Sequence, residues 1–277
     1  MRLKKMLETT ILKVTHAGEE EARKLLPYIQ NCHVYAPEAA TQTEEGAQTA
    51  ENIWENILKK DISWSKVKEA HETTYNREDS ELRAYRLKEN NYLLRQKRKP
   101  WYLERFTQQE SDLVWQLKDR ADLSLRYGKK ALLQESFNEY FSFIKQNIHH
   151  YSEMDEMRDK EIARNIVQAE ERIRARYPEL AEINPLQFVV RIGCLHQPEK
   201  YLQEKDKQKV TPVDRTSQDS LQVSRKLFRD WRSISESEFE RLAIAYGVCN
   251  IFNFPEKDAE RMTTEELKTL LKKRIKK

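Results

Sequence analysis

The sequence predicts an α/β fold, in which a parallel or mixed central sheet is heavily decorated with helices and followed by a helical C-terminal extension. Two observations carry this prediction. A β-branched run, a short amphipathic helix and a second strand occupy the first forty residues, which is the pattern of a βαβ unit. Leu186–Ile192, LQFVVRI, is the best candidate for a buried strand, and much of the remaining chain has a helical pattern.

The N-terminal elements are predicted in the order strand, helix, strand. The first strand covers Thr9–Thr15, the helix begins at Glu19, and the second strand covers Cys32–Ala36. Because a right-handed crossover joins parallel strands, we expect these two strands to be neighbours in one sheet. His16 and Glu38 would then lie just beyond the carboxyl ends of adjacent strands.

The central and C-terminal elements follow from amphipathic spacing and from proline positions. Residues 41–98 are predicted to be a helical insert, and Lys99–Phe106 a third strand. Further helices are predicted at Gln109–Leu117, Lys129–Ile148, Met157–Tyr177, Arg225–Tyr246 and Thr263–Ile275, the last with a capping box formed by Thr263 and Glu266. Lys200–Gln222 is predicted to be a linker or mobile loop. The predicted domains are therefore 1–200, an α/β catalytic-like domain with its insert at about 41–98, and 201–277, a linker with a helical extension.

Composition excludes several classes of protein. The chain has only five glycines among 277 residues, and they lie far apart, so glycine-cradled phosphate sites of Walker, Rossmann or kinase type are not expected. A charged fraction of 35% and a mean hydropathy of −0.89 predict a soluble protein with no membrane association. Three widely spaced cysteines and a charge-interrupted N-terminus predict reduced thiols, no export and a cytoplasmic location.

Three predicted strand ends carry side chains that are able to do chemistry. His16, Glu38 and His196 each follow a strand, and ligands of open α/β sheets bind beyond the carboxyl ends of the strands. Two imidazoles and a carboxylate are a minimal ligand set for a divalent metal ion with open positions for water or substrate. The alternative is that both histidines are structural and simply hydrogen-bonded.

Two paired motifs in the chain resemble those of a known family. Arg158-Asp159 opens a helix, and Gly193-x-x-His196 ends the next strand, as in the Tiki/TraB/PrgY group, which resembles the wider superfamily of erythromycin esterases and ChaN-like haem-binding proteins. His16 and Glu38 match the ends of that family's first two strands. The resemblance covers residues 9–40 and 150–200. Lys13 stands where the first motif has glycine, and Pro37-Glu38-Ala39 replaces the usual context of the glutamate.

The resemblance implies a metal-dependent hydrolase of peptidase or esterase type that acts on a small-molecule or peptide substrate. His16 and His196 would be metal ligands or a general base, and Glu38 a ligand or the base that activates water. Arg158 would orient that carboxylate or neutralise an oxyanion. An ordinary surface pairing of Arg158 with Asp155 or Glu161 is the alternative.

Two other functions stay open at this point. A non-catalytic relative would bind haem, a metal ion or a small ligand in the same cleft. An interaction or nucleic-acid-binding protein would use the basic runs Arg95–Lys99 and Lys272–Lys277, although solvated helix ends explain these runs and nucleic acid is not the expected partner. Homo-oligomerisation is left open. Glu104, Cys194 and the pair His149-His150 are weaker candidates for a functional site.

Overall fold

A computed structural model describes residues 6–15, 18–38, 42–60, 62–74, 80–215, 222–230, 232–252 and 254–275. The chain forms two compact units. Unit 1 comprises Met1–Ser111 and Arg158–Thr216, and unit 2 comprises Asp112–Met157 and Ser217–Lys277. These units differ from the predicted domains mainly because residues 112–157 cluster with the C-terminal helices. The predicted boundary at residue 200 stays a prediction.

Unit 1 is built on a five-stranded, all-parallel sheet. Its strands are β1 (Leu7–Val14), β2 (Val34–Ala36), β3 (Lys99–Pro100), β4 (Leu186–Gly193) and β5 (Val210–Asp214). The order across the sheet is β3-β2-β4-β1-β5. β4 pairs with β1 along its whole length, from Leu7 opposite Leu186 to Val14 opposite Gly193. All carboxyl ends therefore lie at one edge of the sheet.

Twelve α-helices surround or follow these strands in the described parts of the chain. They are α1 (Gly18–Arg23), α2 (Leu26–Asn31), α3 (Glu44–Lys59), α4 (Trp64–Thr74), α5 (Ser80–Arg95), α6 (Gln108–Leu133), α7 (Phe137–Arg176), α8 (Glu204–Lys207), α9 (Gln222–Asp230), α10 (Glu236–Phe252), α11 (Glu256–Glu260) and α12 (Thr264–Ile275). Two 3-10 turns lie at Pro178–Leu180 and Pro198–Tyr201. The long helices α6 and α7 each contribute residues to both units.

The sheet of unit 1 is covered on both faces, as a parallel sheet requires. On one face the alternate side chains Ile11, Phe188 and Val190 pack in a cluster with the C-terminal half of α7, including Ile162 and Ile166. The opposite face forms a second cluster. Its members come from the other residues of the strands and from α1, α2, α3 and α5: Leu12, Val14, Tyr35, Val189, Ala22, Leu25, Ile29, Trp54, Tyr85 and Leu93. The sheet is thus held between two layers of helices.

Unit 2 is helical, and α10 is its central element. A helix with apolar residues on all sides is expected to be buried on all sides, and residues 242–249 of α10 are all buried. α9, α11 and α12 contact α10, and Tyr140, Ile144 and Ile148 of α7 belong to the same apolar cluster.

Several sequence predictions need correction. β1 and β2 are parallel, but they are not neighbours, because the strongly apolar β4 lies between them. The third strand is only Lys99–Pro100, with an isolated bridge between Thr43 and Phe106. The predicted linker contains a fifth strand, β5, whose pairing with β1 gives order to a polar segment. The predicted helix Arg225–Tyr246 is two helices, α9 and α10.

Candidate functional site

The candidate site lies in unit 1 at the carboxyl ends of β2 and β4. Glu38 follows β2 by two residues, and His196 follows Gly193, the last residue of β4, by three. Arg158 and Asp159 project from α7, whose next turns pack against the sheet through Ile162 and Ile166. Residues far apart in sequence therefore converge because two strand ends and one docked helix meet at the same edge.

The Glu38 carboxylate is the centre of this cluster. Its Oε1 accepts a hydrogen bond from Arg158 Nη2 at 2.9 Å, and its Oε2 accepts one from the Gly193 backbone N–H at 2.5 Å. His196 Nε2 lies 3.3 Å from Oε1, and Arg191 Nη1 lies 3.8 Å from Oε2. The side chain of Glu38 is 13% exposed, so most of it is enclosed and a small part of it reaches solvent.

His196 is held in place by a second carboxylate. Its Nδ1 lies 2.7 Å from Asp159 Oδ1, and Asp159 Oδ2 accepts the backbone N–H of Gln197 at 2.7 Å. With the proton on Nδ1, the ring donates to Asp159 and Nε2 faces Glu38. Nε2 donates a hydrogen bond to Glu38 only when the ring carries a second proton. This arrangement, in which a buried carboxylate orients a histidine, occurs both in general-base sites and at metal-binding histidines.

Gly193 permits the close approach of Glu38 to the backbone. A Cβ atom at this position would lie 3.3 Å from Glu38 Oε2 and 3.7 Å from His196 Cδ2. A Cβ atom would therefore crowd the Glu38 carboxylate, whereas its distance to His196 is an ordinary van der Waals contact. The close approach of Glu38 therefore explains why this position favours glycine.

Arg158 joins two carboxylates. Its Nε and Nη2 donate to the two oxygens of Glu104, each at 2.8 Å, while Nη2 also donates to Glu38. Glu104 follows β3 and is 3% exposed, so this weaker sequence candidate belongs to the cluster. Glu161, which sequence spacing offered as a partner of Arg158, instead pairs with Arg164.

A second buried ion pair lies next to the first. Arg191 of β4 donates from Nε and Nη2 to the two oxygens of Glu89 on α5, at 2.8 and 2.7 Å. Burial alone would lower the pKa of Arg191, but the adjacent Glu89 carboxylate holds it well above its usual value. Burial, and then Glu89, raises the pKa of Tyr35, so its hydroxyl stays protonated and donates to Glu89 at 2.6 Å.

Lys13, which stands where the resembled motif has glycine, is buried in the same unit. Its ammonium pairs with Glu199 in the 3-10 turn that follows His196. The side chain of Lys13 is only 8% exposed. The pair connects β1 to the segment that carries His196, so a lysine at this position has a defined structural partner.

The other predicted metal ligand, His16, lies outside the described residues. Glu38 and His196 Nε2 supply two ligand atoms, and Asp159 supports His196 as a carboxylate supports a metal-bound histidine. Within the described residues, no group of three or more His, Cys, Asp or Glu side chains is arranged to hold a metal ion. The described residues therefore fit a divalent metal ion only in part.

Sequence reasoning named Asp159 only as part of the Arg158-Asp159 motif, which lies inside α7 rather than at the start of a helix, and it missed Glu89 and Arg191. Arg191 carried a usable signal, since a single charge inside the apolar strand LQFVVRIG requires a buried partner. Asp159 and Glu89 lie on highly charged helices, where nothing in the local pattern separates a buried acid from a solvated one.

The remaining sequence candidates lie apart from these contacts. His149 and His150 are inside α7 rather than at a helix end, and they belong to unit 2. Cys194 is a buried thiol that is not part of a disulfide, as are Cys32 and Cys249. Burial raises the pKa of Cys32 and of Cys249 to about 12, so these two thiols are not activated nucleophiles.

Comparisons with protein-family models, with curated proteins and with solved structures found no match to this chain. Among the described residues, no helix is long and apolar enough to cross a membrane.

Proposed function

We propose that this protein is a hydrolase of the Tiki/TraB/esterase type, with a catalytic centre formed by Glu38 and His196. The observation that supports it most is the hydrogen-bonded convergence of Glu38, Arg158, Asp159 and His196 at the carboxyl edge of a parallel sheet. Removing each charged group from water costs several kcal/mol. A buried cluster of charged groups is therefore costly, and a catalytic role would explain why the protein keeps it. An exposed fraction remains on Glu38 and Arg158, at 13% and 12%, so a substrate would approach from their side.

In this proposal His196 is the general base. Asp159 holds the proton on Nδ1, so Nε2 takes a proton from a water molecule that Glu38 orients, while the water oxygen attacks the carbonyl carbon of an ester or peptide. When the carbon–oxygen or carbon–nitrogen bond breaks, His196 returns the proton to the leaving group. Arg158 is a positioning residue, because it fixes the Glu38 carboxylate between its own guanidinium and Glu104.

A divalent metal ion is part of the predicted function, and Glu38 and His196 Nε2 are the residues that would hold it, with His16 as a third ligand. Such an ion would polarise the carbonyl and acidify a bound water molecule. Because the described residues complete only two ligand positions, the steps above are assigned to side chains alone.

The proposal is tested by assaying hydrolysis of a panel of nitrophenyl esters and fluorogenic peptides. We expect wild-type turnover, a loss of about 10²- to 10⁴-fold in His196→Ala and Glu38→Gln, and unchanged activity in Glu20→Gln, a matched exposed glutamate. Asp159→Asn should lower kcat and change its pH profile, since the histidine loses its fixed tautomer. Absence of hydrolysis by wild type, or equal rates in wild type and His196→Ala, contradicts the proposal.

The metal is tested separately by elemental analysis of wild type, His16→Ala and His196→Ala. A stoichiometric divalent ion in wild type that both variants lose supports the metal site, whereas a metal-free wild type that still hydrolyses substrate removes the metal from the proposal. The haem-binding alternative predicts a saturable Soret band on haem titration, and the His196→Ala variant should weaken it.

A further inference from the structure

A cavity of about 420 Å³ lies at the opposite edge of the sheet in unit 1. It is bounded by the carboxyl ends of α3 and α7, by the turn before β3 and by the 3-10 turn at Pro178–Leu180. Arg176 at this edge and Arg158 at the other are eighteen residues apart on α7, about 27 Å at 1.5 Å per residue. The cavity is therefore separate from the candidate catalytic site, and its volume is within the range of small-molecule sites, roughly 300–1,000 Å³.

The lining of this cavity carries an excess of positive charge. Four of its nine residues are cations, Lys59, Lys97, Lys99 and Arg176, and two are carboxylates, Glu55 and Glu179. Both carboxylates are already engaged, since Glu55 pairs with Arg176 and Lys59, while Glu179 pairs with Lys99. A partial negative charge of roughly one half from each of the three helix ends at the cavity, those of α3, α5 and α7, reduces this excess to about half a positive charge.

The ordinary explanation of such cations covers only part of the set. Lys59 and Arg176 lie in the last turns of α3 and α7, where cations stabilise the helix dipole. Lys97 is the left-handed residue that closes the carboxyl end of α5, where its N–H donates to the Leu94 carbonyl, so only Lys99 belongs to no helix end. Lys97 has a left-handed backbone with φ of 49°, and no described residue forms a salt bridge with its exposed ammonium.

Lys99 is half-buried in this lining. Burial lowers the pKa of Lys99, the Glu55 carboxylate opposes this effect, and the neighbouring Lys59 adds a smaller lowering. Its ammonium lies 4.3 Å from the centre of the Tyr177 ring, which is an apolar wall of the cavity. A bound anion would stabilise this ammonium, and the aromatic wall would contact an apolar or planar part of the same ligand.

We propose that this cavity binds a small phosphorylated molecule. The lining has two more cations than carboxylates, and this excess has the sign needed to attract a phosphate monoester, which carries about −1.5 to −2 charges at pH 7. Lysine ammonium groups bind phosphate as point charges, and the concave shape favours a small ligand over a polymer. The site binds its phosphate through Lys59, Lys97 and Lys99, with Tyr177 as the wall.

The test is a calorimetric titration of the full chain with inorganic phosphate at an ionic strength of about 0.15 M, which screens exposed charges. The variant is Lys59→Ala/Lys97→Ala, and the matched control is Lys60→Ala/Lys66→Ala, which removes the same charge from exposed lysines outside the cavity. We expect saturable binding to wild type, a Kd raised at least tenfold in the first variant, and a Kd within twofold of wild type in the control.

Three results would overturn the proposal. These are no saturable binding of phosphate to wild type, an unchanged Kd in Lys59→Ala/Lys97→Ala, and equal weakening in both double variants, which would mean diffuse surface attraction. Circular dichroism of both variants shows whether the fold is kept. Because both replaced cavity lysines are exposed, we expect their thermal unfolding to resemble that of the control.

Discussion

The two units bury different kinds of side chain. In the described chain, every buried Asp, Glu, Lys, Arg or His side chain belongs to unit 1: Lys13, Glu51, Glu89, Glu104, Arg105, Asp159, Glu161, Arg191 and His196. The buried polar residues of unit 2 are uncharged, namely Ser124, Asn147 and Ser224. Unit 2 thus has the apolar interior of an ordinary helical bundle. Unit 1 retains ion pairs that an equally large apolar core would not need.

This difference teaches where to look for function. Buried ion pairs contribute little net stability compared with apolar residues of the same volume, although breaking one is strongly destabilising. Their presence around the carboxyl edge of the sheet is therefore better explained by the chemistry proposed for Glu38 and His196 than by stability. Substitutions in the two interiors are therefore expected to change the free energy of unfolding by different amounts.

The largest effect is expected at the buried ion pair of unit 1. Arg191→Met leaves the Glu89 carboxylate buried without its cation, and we expect the free energy of unfolding to fall by about 3–5 kcal/mol. Urea denaturation measures this loss in the free energy of unfolding.

The double variant Glu89→Met/Arg191→Met should recover most of the loss. The control Lys118→Met breaks an exposed pair with Asp122 in unit 2 and should lower the free energy of unfolding by less than about 1 kcal/mol. Equal losses in Arg191→Met and Lys118→Met would remove the contrast between the units.

A smaller effect is expected from overfilling the apolar interior of unit 2. At Gly247 an added Cβ would meet Leu132 Cδ2 and would lie 2.6 Å from Tyr140 Oη, whereas at Gly128 the nearest atom is Phe143 Cβ at 3.4 Å. Gly247→Ala should therefore destabilise by about 1–3 kcal/mol, reduced by the better helix propensity of alanine. Gly128→Ala, in ordinary van der Waals contact, should be neutral or stabilising by up to about 1 kcal/mol. Thermal unfolding of both variants measures these changes in stability. A Gly247→Ala variant that is more stable than wild type would show that unit 2 is loosely packed.

The smallest effect is expected at the capping boxes, where the two units should behave alike. Thr107 with Glu110 caps α6 within unit 1, and Thr263 with Glu266 caps α12 in unit 2. Thr107→Ala should cost on the order of 1 kcal/mol, and Thr263→Ala should change stability in the same direction. A large difference between the two would mean that cap strength depends on the core beneath.

The same caps predict a pH dependence. Hydrogen bonds from the backbone N–H and then the hydroxyl of each threonine lower the pKa of Glu110 and of Glu266 below 4.5. A lowered folded-state pKa means that the stabilisation is present above about pH 4.5 and is lost as the pH falls through the folded-state value. Chemical denaturation at pH 7 and at pH 3 should therefore show a smaller effect of Thr107→Ala at the acid pH.

Local chemistry accounts for the parts of the fold that the sequence predicted well. β1 contains a β-branched run and β4 is an apolar run that ends at Gly193. Thr263 with Glu266 forms the predicted capping box. Strand order and the fifth strand were missed because both depend on long-range pairing. Val210–Asp214 becomes a strand through its pairing with β1, and nothing within that polar segment indicates it.

The sequence predicted those site residues that directly follow a strand, because the strand ends themselves could be predicted. Glu38 and His196 were placed at one edge because each follows a strand, and the structure brings them within 3.3 Å of each other. Their buried partners depended on which turn of α7 and α5 faces the sheet. Both helices carry charged residues on every face, so the sequence does not show which acidic side chain is buried. The positions of Asp159 and Glu89 in the cluster follow only from their contacts in the structure.

The central position of β4 has a consequence for synthesis of the chain. Leu7 pairs with Leu186, and Val34 pairs with Phe188, so both N-terminal strands leave the ribosome long before the strand that joins them. At roughly 5–20 residues per second, β1 waits about 10–40 s for its partner. During that interval its apolar edge is exposed to other chains, and Glu38 is not yet enclosed. A nascent chain released before residue 186 would lack the central strand, which makes early termination a specific route to aggregation for this topology.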